Sequence, residues 1–265
     1  MTAPRLHAAT GGHQPSGGRP TVVLVHGAGG NRTQWGTQAR HLAARGFDVL
    51  AIDLPGHGNS PGPACTEIGS YGEAVLADLD ARGIDRVAVA GHSMGAMIAL
   101  WIAATASDRV SHLGLIGAGL ALAVNPALLN GTRDEPLVAA EAIVDWGHSS
   151  ASHIGASETP GLWMDGIDLA VFRAEIVAHP GSLHADFAAT AAFDGTDLAQ
   201  SVSAPTVVIS GQRDLMTPPK LGKAAAAAID GATYIEFADA GHMLMTERPL
   251  ELSKALHSFF SRAAG

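Results

Sequence analysis

The sequence predicts an α/β protein with a mostly parallel sheet, and three observations carry that prediction. Short runs of continuous apolar, often β-branched residues recur, as in Thr21-Val22-Val23-Leu24-Val25 and Asp48-Val49-Leu50-Ala51-Ile52-Asp53. Strands that read this way are buried on both faces. Helical stretches separate them, which is the signature of βαβ units. The alternation stops once, across residues 119–203, and then resumes. One α/β unit, residues 1–118 and 204–265, is therefore expected to carry a helical insertion over 119–203.

Taken in order, residues 7–20 are polar and rich in Gly, Pro and Ser and read as a poorly ordered arm or a loose hairpin. The strand at 21–25 runs into His26-Gly27-Ala28-Gly29-Gly30. A helix follows over 35–45, closed by Gly46, then a strand at 48–53 and a turn-rich stretch over 55–63. Next come a helix at 71–81, a strand at 86–90, a helix at 94–104 and a strand at 112–118. Within the insertion, helices are expected at 126–130, 135–147, 168–178 and 182–193. The strand at 205–210, the helix at 219–229, the strand at 233–237 and the helix at 249–261 complete the pattern.

The chain has 265 residues, 47% hydrophobic and 15% charged, enough to bury a sizeable core. Its formal charge of −9 argues against nucleic-acid or anionic-membrane partners, both of which want a basic footprint. Cys65 is the only cysteine, so neither an intramolecular disulfide nor a cysteine metal site can form. No cofactor and no metal are expected. No apolar run approaches the ~20 residues of a membrane span, and no signal-like apolar core is present near Met1. A cytoplasmic location is expected.

The chemistry gathers at Gly91-His92-Ser93-Met94-Gly95, where a strand meets a helix. That setting forces a sharp turn and exposes a serine oxygen at the top of the sheet. A serine nucleophile needs a base, and the base needs an orienting acid. Among 13 histidines, His242 in Asp239-Ala240-Gly241-His242 follows the last strand, where a loop reaches the same end of the sheet. Asp214 lies one short loop beyond the strand at 205–210 and is upstream of that histidine. His26 is better used to shape the glycine loop. The oxyanion needs two N–H donors: Met94, at a helix N-terminus, and Ala28, in the glycine loop. The glycine loop is not a dinucleotide fingerprint, because Arg32 stands where a third glycine belongs, and no G-K-[ST] motif occurs.

These residues resemble the α/β-hydrolase superfamily over most of the chain, from Val22 to Phe260. The resemblance is carried by His26-Gly27-Ala28-Gly29-Gly30, Asp53-Leu54-Pro55-Gly56-His57-Gly58-Asn59-Ser60, Gly91-His92-Ser93-Met94-Gly95, Gly211-Gln212-Arg213-Asp214 and Gly241-His242. It implies an eight-stranded, mostly parallel sheet under a helical cap. The N-terminal hairpin of such a sheet has to fit a short glycine-rich stretch and would be reduced. The expected activity is a serine esterase acting on a small-molecule ester with a small or medium apolar acyl group, or on an enol-lactone. Trp146, Trp163, Met164 and Phe187 of the insertion, with Met243 and Leu244 of the core, are the candidate pocket residues. The alternatives are a thioesterase, a C–C hydrolase of the meta-cleavage type using His148, His184 or Arg173 to ketonise its substrate, and a non-catalytic ligand-binding protein of the same fold.

Overall fold

The computed structural model describes residues 5–150 and 164–262. Seven strands form one sheet: β1 (Ala8–Ala9), β2 (Thr21–Val25), β3 (Asp48–Ile52), β4 (Val87–His92), β5 (Val110–Ile116), β6 (Thr206–Gly211) and β7 (Thr233–Phe237). Their order is β1-β3-β2-β4-β5-β6-β7. All neighbours pair in parallel except β1, which runs antiparallel to β3. The chain moves outward from β2 to β3 and then returns to build the other side from β4. The switch point of this open sheet therefore falls between β2 and β4, where ligands bind beyond the strand ends.

Side chains alternate across each strand and so feed two cores. Val23 and Val25 join one core with α2 (Ile68–Arg82) and α3 (Met94–Thr105). Val22 and Leu24 join the other with Trp35, α1 (Gly36–Ala43) and the last helix, α11 (Pro249–Phe260). Each fully buried large side chain contributes about 1.5–3 kcal/mol. With both faces covered in this way, β2 and β4 are almost wholly buried and read as apolar runs, whereas the edge strand β7 stays partly exposed and carries Glu236.

Between β5 and β6 lie α4 (Pro126–Asp134), α5 (Pro136–Gly147), α6 (Met164–Ala178), α7 (Ser182–Ala192) and α8 (Thr196–Ala199). They carry a third apolar cluster of their own, built from Ile143, Val144, Phe172, Leu183 and Phe187 and closed below by Met243. The only strand-like pairing among the described residues there is one antiparallel bridge, Ala121 to Asp194. After β6 come α9 (Pro219–Ala228) and, past β7, α10 (Leu244–Glu247). Among the described residues no helix is long and apolar enough to cross a membrane.

Three expectations need correction. The described sheet has seven strands, not eight. The glycines and prolines of residues 11–20 cannot supply a regular ladder, since proline lacks the N–H and glycine weakens a strand. Only Ala8 and Ala9 pair, against Ile52 and Ala51. Nor is the arm loose: Ser16 and Gly17 donate backbone N–H bonds to Asp48 Oδ2 at 2.9 and 3.0 Å, and Leu6 is buried. The helix expected at 35–45 starts instead as a 3₁₀ turn, Arg32–Trp35, capped by the Asn31 side chain.

Candidate active site

Ser93 sits between β4 and α3 with φ +54°, and only it and Asp239 have positive φ among the described non-glycine residues. A side chain held there costs about 1–3 kcal/mol and is tolerated where the surroundings leave no alternative. The flanking glycines supply that constraint. A Cβ on Gly91 would stand 2.0 Å from the Gly95 carbonyl oxygen, and one on Gly95 would stand 2.4 Å from the His26 carbonyl oxygen. The turn can close against the neighbouring strand only with glycine at both places. Ser93 lines a cavity of about 240 Å³.

His242 and Asp214 meet as the sequence suggests. His242 Nδ1 donates to Asp214 Oδ2 at 2.8 Å, which leaves Nε2 as the ring's acceptor. Asp214 Oδ1 accepts the N–H groups of Met216 and Thr217 at 2.9 and 2.6 Å, so both oxygens of this buried carboxylate are committed. The His242 backbone is clasped from above: its N–H and that of Met243 donate to Gly147 O, at the end of α5. Glu247 adds a second clasp, accepting the N–H groups of Gly241 and Ser149. A side chain on Gly117 would crowd His242 Nδ1 at 3.2 Å. His242 and Ser93 line a second cavity of about 20 Å³, together with Ala28 and Gln34.

The N–H groups of Ala28 and Met94 have no acceptor among the described residues. Met94 opens α3, where the first N–H groups of a helix are free. The Ala28 N–H belongs to the Gly27–Ala28 peptide, whose carbonyl accepts Gly30 N–H at 3.1 Å and the His26 ring at 2.9 Å. A trans peptide is planar, so fixing its carbonyl on one side fixes the N–H on the other. His26 Nε2 accepts Leu54 N–H, which requires the proton on Nδ1. Burial, with help from the nearby His57 charge, holds the His26 ring neutral, at about 4. His26 thus shapes the glycine loop.

The pocket expectations divide. Phe187 and Trp146 line the larger cavity with Leu122, Val124, Leu128 and Met216, and Met243 lines the smaller one. Leu244 is not a lining residue; it is fully buried in the core shared by Val22, Leu24 and α11, because α10 turns its side chain beneath the loop. Trp163 lies outside the described residues, and of Met164 only the backbone, at the start of α6, is described. His148, His184 and Arg173 line neither cavity. His148 is bonded to Asp168, His184 to Leu129 O, and Arg173 to Glu141.

Sequence reasoning missed several residues at the site. His92 lies beside His242, its ring 4.5 Å from that of His242, and donates from Nε2 to His242 O at 3.0 Å. Burial pushes it well below its ordinary value, so it is a neutral donor. Asp186 and Glu175, on α7 and α6, reach down to the loops after β2 and β3. One signal for Asp186 was available: Leu183, Asp186, Phe187 and Thr190 share a helical face, so a carboxylate sits in an apolar stripe.

The loops of this site sit in a family context. A model of the alpha/beta hydrolase fold matches residues 20–249. A crystal structure of an enol-lactonase from Burkholderia xenovorans LB400 superposes with a TM-score of 0.85, at 28% identity over 97% of this chain and 96% of that one. A provisionally assigned carbamate hydrolase, RutD, of Klebsiella pneumoniae (strain 342) is 28% identical over 86% of each chain. An acetyltransferase component of the acetoin cleaving system of Pseudomonas putida is 44% identical over 117 residues, a stretch spanning 43% of this chain and 31% of that protein. The chain belongs to the α/β-hydrolase fold family.

Proposed function

We propose that the protein is a serine hydrolase of carboxylic esters, working through an acyl-enzyme on Ser93. One observation carries this reading: Ser93, His242 and Ala28 line one cavity, with His242 hydrogen-bonded to Asp214 and the Ala28 N–H without an acceptor among the described residues. His242 Nε2 takes the Ser93 proton as Oγ attacks the ester carbonyl. The N–H groups of Ala28 and Met94 receive the oxyanion, and donors set in place before the charge develops are the strongest single contribution to such catalysis. His242 then protonates the leaving alkoxide, and Asp214 stabilises the imidazolium that forms in between. In the second half His242 activates water, which releases the acid and frees Ser93.

The helices between β5 and β6 act as the cap and supply the acyl pocket. Its residues are mainly apolar, with no Lys, Arg, Asp or Glu among them, which favours a neutral ester or lactone of small to medium size. Similarity to an enol-lactonase supports the lactone side of that range. The C–C hydrolase reading lacks its polar partner in the cavity, since His148, His184 and Arg173 are engaged elsewhere.

A fluorophosphonate probe is expected to label Ser93 alone, and Ser93→Ala to lose nearly all p-nitrophenyl acetate hydrolysis. Undiminished hydrolysis by that variant would sink the reading.

A further inference from the structure

Asp186 is a fully buried carboxylate on α7, and all its side-chain partners belong to the sheet domain. Oδ2 accepts the Gly29 N–H at 2.8 Å and faces His57 Nε2 at 2.9 Å; Oδ1 accepts the Tyr71 hydroxyl at 2.5 Å. His57 Nδ1 faces Pro55 O at 3.0 Å. Both ring nitrogens of His57 therefore look at acceptors and both carry protons, which makes His57 a buried cation paired to Asp186. Its ring lies 5.0 Å from that of His26. Glu175, on the neighbouring helix, repeats the arrangement by accepting Asn31 Nδ2 at 2.6 Å and Gly58 N–H at 3.0 Å.

The bond to Gly29 ties Asp186 to the three-residue turn 27–29. Gly29 has φ +67°, and a Cβ there would meet Leu183 Cδ1 at 2.5 Å and Phe172 at 2.9 Å. A turn of glycines has several orientations open to it, and a bond to each side selects one. His26 holds the Gly27 carbonyl from below, and Asp186 holds the Gly29 N–H from above. Between them lies the Ala28 N–H, without an acceptor among the described residues, and Ala28 lines the same cavity as Ser93. The paired cation at His57 also opposes a second charge on His26 and so maintains the tautomer that binds Gly27.

We propose that Asp186 is the positioning residue of the oxyanion hole, fixing residues 27–29 so that the Ala28 N–H stays free for the oxyanion. This rests on the ester-hydrolase reading above. Asp186 touches no substrate; it acts through Gly29 and His57. The helices above the site therefore complete the catalytic floor as well as covering it.

The test is Asp186→Ala, which removes the acceptor of the Gly29 N–H. Loss of one oxyanion donor lowers kcat about 10²–10³-fold. A misaimed donor is expected to lower kcat for p-nitrophenyl butyrate about 10- to 100-fold, with KM within about two-fold. Tyr71→Phe, which spares the Gly29 bond, is the control and should keep kcat within about three-fold. A folded Asp186→Ala with wild-type kcat, or one whose whole loss lies in KM, overturns the proposal. If that variant does not fold, amide hydrogen exchange in the wild type decides. Gly29 should exchange slowly, and exchange as fast as that of Gly62 overturns the proposal. This measurement needs no turnover. A wild type that hydrolyses no ester would refute the proposed function while leaving the positioning of the turn to be judged by exchange.

Discussion

The loops at the top of the sheet and the helices above them are held by different forces. The floor is fixed by backbone fit: Gly91 against Gly95, Gly95 against the His26 carbonyl and Gly211 against Gly241 all approach within distances no Cβ would permit. The helices are fixed by buried carboxylates and carbonyls that reach across long stretches of chain. Asp186 and Glu175 grip the loops after β2 and β3, while Gly147 O and Glu247 grip the His242 loop. Backbone fit tolerates no substitution and does not depend on pH. Buried charge depends on pH and is lost when one partner is removed. The floor is thus the invariant part of the machinery, and the fastening of the helices is the part that can be tuned.

The largest expected effect lies in the floor. Asp214→Asn should lower kcat about 10⁴-fold, because the amide no longer fixes the Nδ1–H tautomer of His242, and steady-state kinetics on p-nitrophenyl esters check it. A loss under ten-fold would mean that the fastening from above, through the bonds from His242 and Met243 N–H to Gly147 O, orients His242 without the carboxylate.

The next effect lies in the fastening. Asp186→Ala leaves His57, Tyr71 and Gly29 without their partner and should cost about 3–5 kcal/mol of unfolding free energy, measured in urea. Burial pushes His57 down, but the charge and hydrogen bond of Asp186 more than offset it, so its pKa stands above the ordinary 6.5. Burial pushes Asp186 up, but His57 and its other donors bring it below the ordinary 3.8. The His57 contribution is complete below about 6.5 and is lost as pH rises through its higher folded value. The Asp186 contribution is complete above about 3.8 and is lost as pH falls through its lower folded value. The gap between wild type and variant should therefore be widest between about pH 4 and 6.5 and should narrow in alkali. A gap independent of pH would erase the distinction between the two regions.

The smallest effect lies in the pocket. Trp146 is 41% exposed, so Trp146→Ala should leave stability nearly unchanged. It should lower kcat/KM for medium-chain esters about ten-fold relative to acetate, as lost apolar contacts do. An acyl-length series on both proteins reads this directly. Equal losses for all chain lengths would place the acyl group elsewhere.

The sequence by itself determined the elements whose physics is local. Doubly buried strands show as apolar runs, and Gly91, Ser93 and Gly95 show as a pattern because a strand-to-helix turn needs them at that spacing. Loops at strand ends made Asp214 and His242 findable by order alone. The tertiary structure decided what depends on partners distant in the chain. Leu244 reads as a pocket residue beside His242, but the turn of α10 buries it in the opposite core. Residues 7–20 read as a poorly ordered arm or a loose hairpin, yet Ala8 and Ala9 pair with β3 and the carboxylate of Asp48 anchors Ser16 and Gly17. Asp186 carries no motif, because its role comes from Gly29, His57 and Tyr71, which only folding brings to it. Local backbone constraints leave a trace in neighbouring residues, whereas a buried charge is defined by groups 115 to 157 positions away.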